Sequence, residues 1–101
     1  MEQVNSINNI SDKSFIIKYG QDFCIPCEMA ENNLKVLEPD YPNIKFYSTK
    51  NVDEAVEKGY KALPVLVLSQ NGNVKELSDN TVLMNQDSLK EWIDNNMEGE
   101  R

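Results

Sequence analysis

Phe23-Cys24-Ile25-Pro26-Cys27-Glu28 follows the apolar run Phe15-Ile16-Ile17-Lys18-Tyr19, which Gly20 closes, and opens a segment of helical periodicity. The run is β-branched and aromatic, the composition of a mostly buried strand. From Pro26 to Glu38, the residues Cys27, Ala30, Leu34 and Leu37 recur at helical spacing and fall on one face. Pro26 fits the first turn, where its missing N–H costs nothing. This order puts Cys24 at a helix N-terminus, where unpaired backbone N–H groups and the positive end of the macrodipole favour a thiolate. Cys27 belongs to the core-facing stripe and is expected to be shielded, whereas Cys24 is expected to be accessible. An exposed attacking thiol beside a buried resolving thiol is the asymmetry that disulfide exchange needs.

With 101 residues, 40% of them hydrophobic and 27% charged, the chain is expected to form one soluble domain over residues 1–101. A weakly patterned element spans 2–10 and the core fold spans 13–97. No apolar stretch approaches the roughly 18 residues of a membrane span, and Met1-Glu2-Gln3 lacks the basic-then-apolar order of a signal peptide. A cytoplasmic location is therefore expected. Thiols are kept reduced there, so a lone Cys-x-x-Cys points to catalysis or metal binding rather than to a structural bridge. A net charge of −7 argues against nucleic acid and anionic membranes as partners. Zinc normally takes four ligands, and two cysteines without a histidine do not supply them. A structural disulfide closing so short a loop would contribute only roughly 2 kcal/mol by the chain-entropy account.

Along the rest of the chain, Val4, Ile7 and Ile10 recur every third position and suggest a short helix. Pro39 and Pro42 end the first long helix, and Ile44-Lys45-Phe46-Tyr47-Ser48 alternates as a second strand. Val52, Ala55 and Val56 mark a short helix that Gly59 can cap. Leu63-Pro64 precedes the strand Val65-Leu66-Val67-Leu68, and Asn71-Gly72 is a hairpin turn leading to Val74-Lys75-Glu76-Leu77. A last helix carries Leu89, Trp92, Ile93 and Met97 on one face, with Ser88 and Glu91 at capping-box spacing. The order strand, helix, strand, helix, hairpin, helix implies an α/β fold, a four-stranded mixed sheet with helices on both faces.

A strand ending at Cys-x-Pro-Cys on a helix, an x-Pro leading into a hairpin, and a terminal amphipathic helix together resemble the thioredoxin family. The resemblance implies the thioredoxin fold, two parallel strands plus a C-terminal antiparallel hairpin in the central sheet. It implies Cys24 as the attacking nucleophile, Cys27 as the resolving thiol, and Leu63-Pro64 as a cis peptide beside them. It also implies that Phe23, Ile25, Pro26, Leu63 and Pro64 contact substrate, whose chain pairs with the backbone next to the proline.

The chain departs from that pattern in ways that bear on mechanism. Members of the family usually have Trp-Cys-Gly-Pro-Cys-Lys. Here Phe23 keeps an aromatic wall without an indole N–H, Ile25 adds an apolar rim, and Glu28 with Asp22 should oppose thiolate formation at Cys24. Lys18 stands six residues before the first cysteine, where the family carries a buried aspartate that helps move a proton at the resolving thiol. Lys18 is then a neutral amine base, a charge that stabilises a thiolate, or a side chain that snorkels to solvent and plays no part.

The expected function is a thiol-disulfide oxidoreductase that reduces protein disulfides through Cys24 and Cys27, serving electron transport and cell redox homeostasis. The resemblance implies a monomer with no bound cofactor, drawing on NADPH through a thioredoxin reductase. Ribonucleotide reductase and peroxiredoxin-type enzymes are the implied substrates. A glutaredoxin-like, glutathione-dependent enzyme is the nearest alternative, although Ala62-Leu63 precedes Pro64 and no Gly-Gly segment follows the hairpin. The other is a non-catalytic adaptor subunit of the same fold.

Overall fold

The computed structural model describes residues 1–98. Strands β1 (Glu2–Gln3), β2 (Ser14–Tyr19), β3 (Lys45–Thr49), β4 (Val65–Gln70) and β5 (Asn73–Leu77) form one sheet in the order β1-β3-β2-β4-β5. β1 and β2 run parallel to β3, while β2 with β4 and β4 with β5 are antiparallel. Helices α1 (Ile25–Leu37), α2 (Val52–Glu57), α3 (Asn80–Leu83) and α4 (Gln86–Asn96) complete the fold.

This is the mixed sheet with flanking helices that the sequence implies, with five strands where four are expected. The added strand, β1, is two exposed residues long, too short to display any alternation. The Val4, Ile7 and Ile10 repeat does not form an α-helix. Ser6 caps a single 3₁₀ turn, Ile7–Asn9, by accepting from the Asn8 N–H at 3.0 Å, and the three apolar side chains pack onto the sheet. A second element without a sequence forecast is α3, a four-residue helix capped by Asp79, whose carboxylate accepts from the Thr81 N–H at 2.9 Å. The cap of α4 is Asn85 rather than Ser88: the Asn85 side-chain oxygen accepts from the Ser88 N–H at 2.9 Å.

Elsewhere the local chemistry acts as its residue types dictate. Asn71 and Gly72 both adopt positive φ, 51° and 87°, giving the two-residue turn whose twist matches a hairpin, and Gln70 faces Asn73 across it. At the end of α2, Gly59 takes φ 86°, so its N–H bonds Val56 O at 2.9 Å and the Tyr60 N–H bonds Ala55 O at 3.0 Å.

Strand alternation sorts the core into two layers. On one face of the sheet, Ile16, Phe46, Leu66 and Leu68 pack against Ala30, Leu34 and Leu37 of α1 and Leu89 and Ile93 of α4. On the other, Phe15, Ile17, Tyr19, Tyr47, Val65 and Val67 pack with Ala55 of α2. Glu54 ties this second layer to the N-terminal segment. Its carboxylate accepts from the Ser6 hydroxyl, from the Ile7 N–H at 3.1 Å and from the Tyr19 hydroxyl at 2.6 Å. Burial works to raise the Glu54 carboxyl, but the bonds from Ser6, Tyr19 and Ile7 and the charge of Lys58 outweigh it and hold the group below its ordinary value. Burial and then the bond to Glu54 push the Tyr19 phenol well above its own.

A carboxyl depressed in the folded state contributes stability that is present above its unfolded pKa of about 4.3 and is lost as pH falls through the folded value. Glu54→Gln is accordingly expected to cost about 1–2 kcal/mol at neutral pH by urea unfolding. That difference should shrink as pH is lowered through and below about 4. A difference independent of pH would show that the Glu54 charge is not what holds the segment.

Candidate active site

β2 ends at Tyr19 and α1 begins at Ile25, so the intervening loop delivers Cys24 to the helix N-cap. Cys24 Sγ receives the Cys27 N–H at 3.2 Å, the bond by which a capping side chain satisfies an orphan donor of the first turn. Pro26 lies in that turn as expected. Cys24 and Cys27 are joined in a disulfide, with Cα atoms 5.2 Å apart.

The antiparallel register brings the second half of the site to the first. Tyr19 pairs with Val65, so the residues after Tyr19 run alongside those before Val65. Leu63–Pro64, a cis peptide as the resemblance implies, therefore lies beside the cysteines, and Cys24 Sγ is 4.0 Å from the Leu63 carbonyl oxygen. Cys24 is only 8% exposed, much less open than its cap position suggests, and Cys27 is 1% exposed. The side chains around them differ sharply. Phe23 has φ 56° and stands fully in solvent, so it forms no packed wall. Ile25 is 68% exposed, Leu63 is half-buried and Pro64 is buried.

The charges are arranged differently from the sequence expectation. Asp22 pairs with Lys50 at 2.8 Å, and this bond raises the Lys50 ammonium, so Asp22 does not act on Cys24 unopposed. Glu28 is exposed in the first turn of α1, where the helix dipole favours an acid. Lys18 does not reach solvent. It is 3% exposed, and its Nζ lies 2.6 Å from Glu31 Oε1. Lys35 Nζ approaches the other Glu31 oxygen at 3.3 Å. Burial works to raise the Glu31 carboxyl, but its bonds and charge contacts with Lys18 and Lys35 prevail and hold it below the ordinary range.

Glu31 is the site residue that sequence reasoning missed. The signal available was its spacing: it stands four residues after Cys27, hence on the same side of α1. Among the described residues, no group of three or more His, Cys, Asp or Glu side chains is placed to hold a metal ion, and no helix is long and apolar enough to cross a membrane.

Residues 2–95 match the thioredoxin family model. No curated protein matches the chain in sequence. Among solved structures, the chain is similar to Plasmodium falciparum thioredoxin, with a TM-score of 0.78 and 15% identity over 96% of this chain and 100% of that one. It is similar to oxidised mitochondrial thioredoxin 3 of Saccharomyces cerevisiae, with a TM-score of 0.68 and 24% identity over 84% and 80% of the two chains. It also resembles a chain from a study of thiol resolution in a yeast mitochondrial 1-Cys peroxiredoxin, with a TM-score of 0.75 and 19% identity over 94% of each. At these identities the structures attest the fold alone. The family match over most of the chain, with the Cys24–Cys27 pair at the head of α1, makes this protein a member of the thioredoxin family and a thiol-disulfide oxidoreductase.

Proposed function

We propose that the protein reduces disulfides in other proteins by dithiol exchange, with Cys24 as nucleophile and Cys27 as resolving thiol. One observation carries this reading: the two cysteines form a disulfide whose first sulfur caps a helix beside the Leu63–Pro64 loop and whose second is buried behind it. The Cys24 thiolate attacks a substrate disulfide, whose S–S bond breaks; one substrate sulfur leaves as thiolate and takes a proton from solvent. Cys27 then gives up its proton and attacks Cys24 Sγ. The second substrate sulfur leaves, the Cys24–Cys27 bond forms, and two electrons have passed from the dithiol to the substrate.

The exposed Phe23 and Ile25, with Pro26, Leu63 and Pro64, form the rim against which a substrate chain docks. A flavin- and NADPH-dependent thioredoxin reductase regenerates the dithiol, and ribonucleotide reductase and peroxiredoxin-type enzymes are the candidate substrates. Such a reductant works in a reducing compartment, in keeping with a cytoplasmic location.

Cys24→Ser is expected to abolish turnover of a disulfide-bonded protein such as insulin. Cys27→Ser should accumulate a covalent protein–substrate adduct, visible on a non-reducing gel and dispersed by dithiothreitol. Normal turnover by the Cys27→Ser protein would exclude the two-thiol mechanism.

The reduction potential separates the reductant from the glutathione-coupled alternative. Thiol labelling across a redox buffer series should place the couple near the roughly −270 mV of thioredoxin. A value in or above the range of about −200 to −230 mV found for glutaredoxins would favour the alternative.

A further inference from the structure

Strand alternation decides where Lys18 points. Its neighbours Ile17 and Tyr19 face the α2 layer, so Lys18 follows Ile16 to the α1 side of the sheet, beneath Cys27 and Glu31. Among the described residues it is the one charged residue that is buried. Gly20 leaves the space between the ammonium and the cysteine bare: a Cβ placed on Gly20 would lie 3.0 Å from Lys18 Nζ and 3.3 Å from Cys27 Cβ. Lys18, Cys27 and Glu31 line a common polar cleft of about 480 Å³, with the exposed Asp22 and Phe23 on its outer side.

A buried ion pair is a poor source of stability, because an apolar residue of the same volume fills the space without desolvating two charges. The ammonium and Cys27 line the same cleft on either side of the bare Gly20 backbone, and the Cys27 sulfur must become negative before it can react. Of the other charged groups that line this cleft, Asp22 pairs with Lys50, Lys35 approaches the second Glu31 oxygen at 3.3 Å, and Glu28 is exposed; Lys18 is the buried one. We propose that the Lys18 ammonium is the electrostatic partner of Cys27 in the resolving step, and that Glu31 is a positioning residue that sets how much of that charge the thiolate feels.

The inference rests on the dithiol exchange proposed above. When Cys27 loses its proton to solvent through the cleft, its thiolate forms beside Lys18 and attacks Cys24 Sγ. The bond from Cys24 to the substrate sulfur breaks, and that sulfur departs as a thiolate. No base on the protein is required.

Removing Lys18 and removing Glu31 should then have opposite effects, which a merely structural pair would not show. The test uses the reduced full chain and 5,5′-dithiobis(2-nitrobenzoate) in a stopped-flow instrument. Cys24 releases one thionitrobenzoate in a concentration-dependent phase, and Cys27 releases the second in a unimolecular phase, followed from about pH 5 to 9 to span ordinary thiol ionisation. Lys18→Met is expected to raise the midpoint of the second phase by about one pH unit. Below the midpoint the thiolate fraction falls about tenfold while its intrinsic nucleophilicity rises about threefold, for a net slowing of about threefold. Glu31→Gln, which exposes Cys27 to the full Lys18 charge, is expected to lower the midpoint.

Shifts of the same sign in both variants, or unchanged midpoints, would overturn the proposal. Should Lys18→Met fail to fold, the partly exposed Glu31→Gln still decides by its sign: a rise or no change rejects the proposal. A wild-type protein that releases no thionitrobenzoate would instead overturn the dithiol exchange itself.

Discussion

Strand β2 is hydrogen-bonded along both edges, to β3 and β4, and covered on both faces. From Phe15 to Tyr19 every side chain is buried. A strand in that position admits apolar residues freely and a charge only with a partner, because an unpaired ion there would forgo several kcal/mol of hydration. Lys18 meets this condition through Glu31, a residue on a different element. The constraint therefore couples the interior of the sheet to the helix that carries the cysteines.

The same strand sets the geometry of the redox centre. Its C-terminal end hands the chain to the capping cysteine, and its register with β4 brings Leu63–Pro64 alongside. The buried stripe of α1 then fixes the rotation of the helix about its own axis. With Ala30, Leu34 and Leu37 against the sheet, Cys27 must face inward and Cys24 must stand at the margin. The difference in burial between the two sulfurs is thus a by-product of how the helix is seated, and needs no special residue at either cysteine.

Much of this was legible in the sequence because it depends on neighbours in the chain. The apolar run of β2, the helical stripe from Cys27 to Leu37 and the Asn71-Gly72 turn are local patterns, and each forms where it was expected. The cis state of Leu63–Pro64 came only through the family resemblance, since proline alone favours trans. Elements held by tertiary contact carried little local signal. β1 is an exposed pair of residues bound to the edge of β3, and α3 is a single turn capped by Asp79. Lys18 is the instructive case. Its sequence position permitted burial or snorkelling alike, and only the alternation of the strand together with the position of Glu31 on α1 decides between them.

Phe23 has a consequence for the energetics of the free protein. An aromatic residue at φ 56° occupies backbone space suited to glycine, at a cost of about 1–2 kcal/mol, and its ring gains nothing from packing while it stands in water. Of the two deficits, only the exposure of the ring depends on its surroundings; the backbone strain stays with φ. A surface that covered the ring would recover the transfer free energy of an aromatic side chain and would still have to order its torsions. The unbound protein thus carries a local frustration, an exposed aromatic ring on a left-handed residue in the loop that leads into α1.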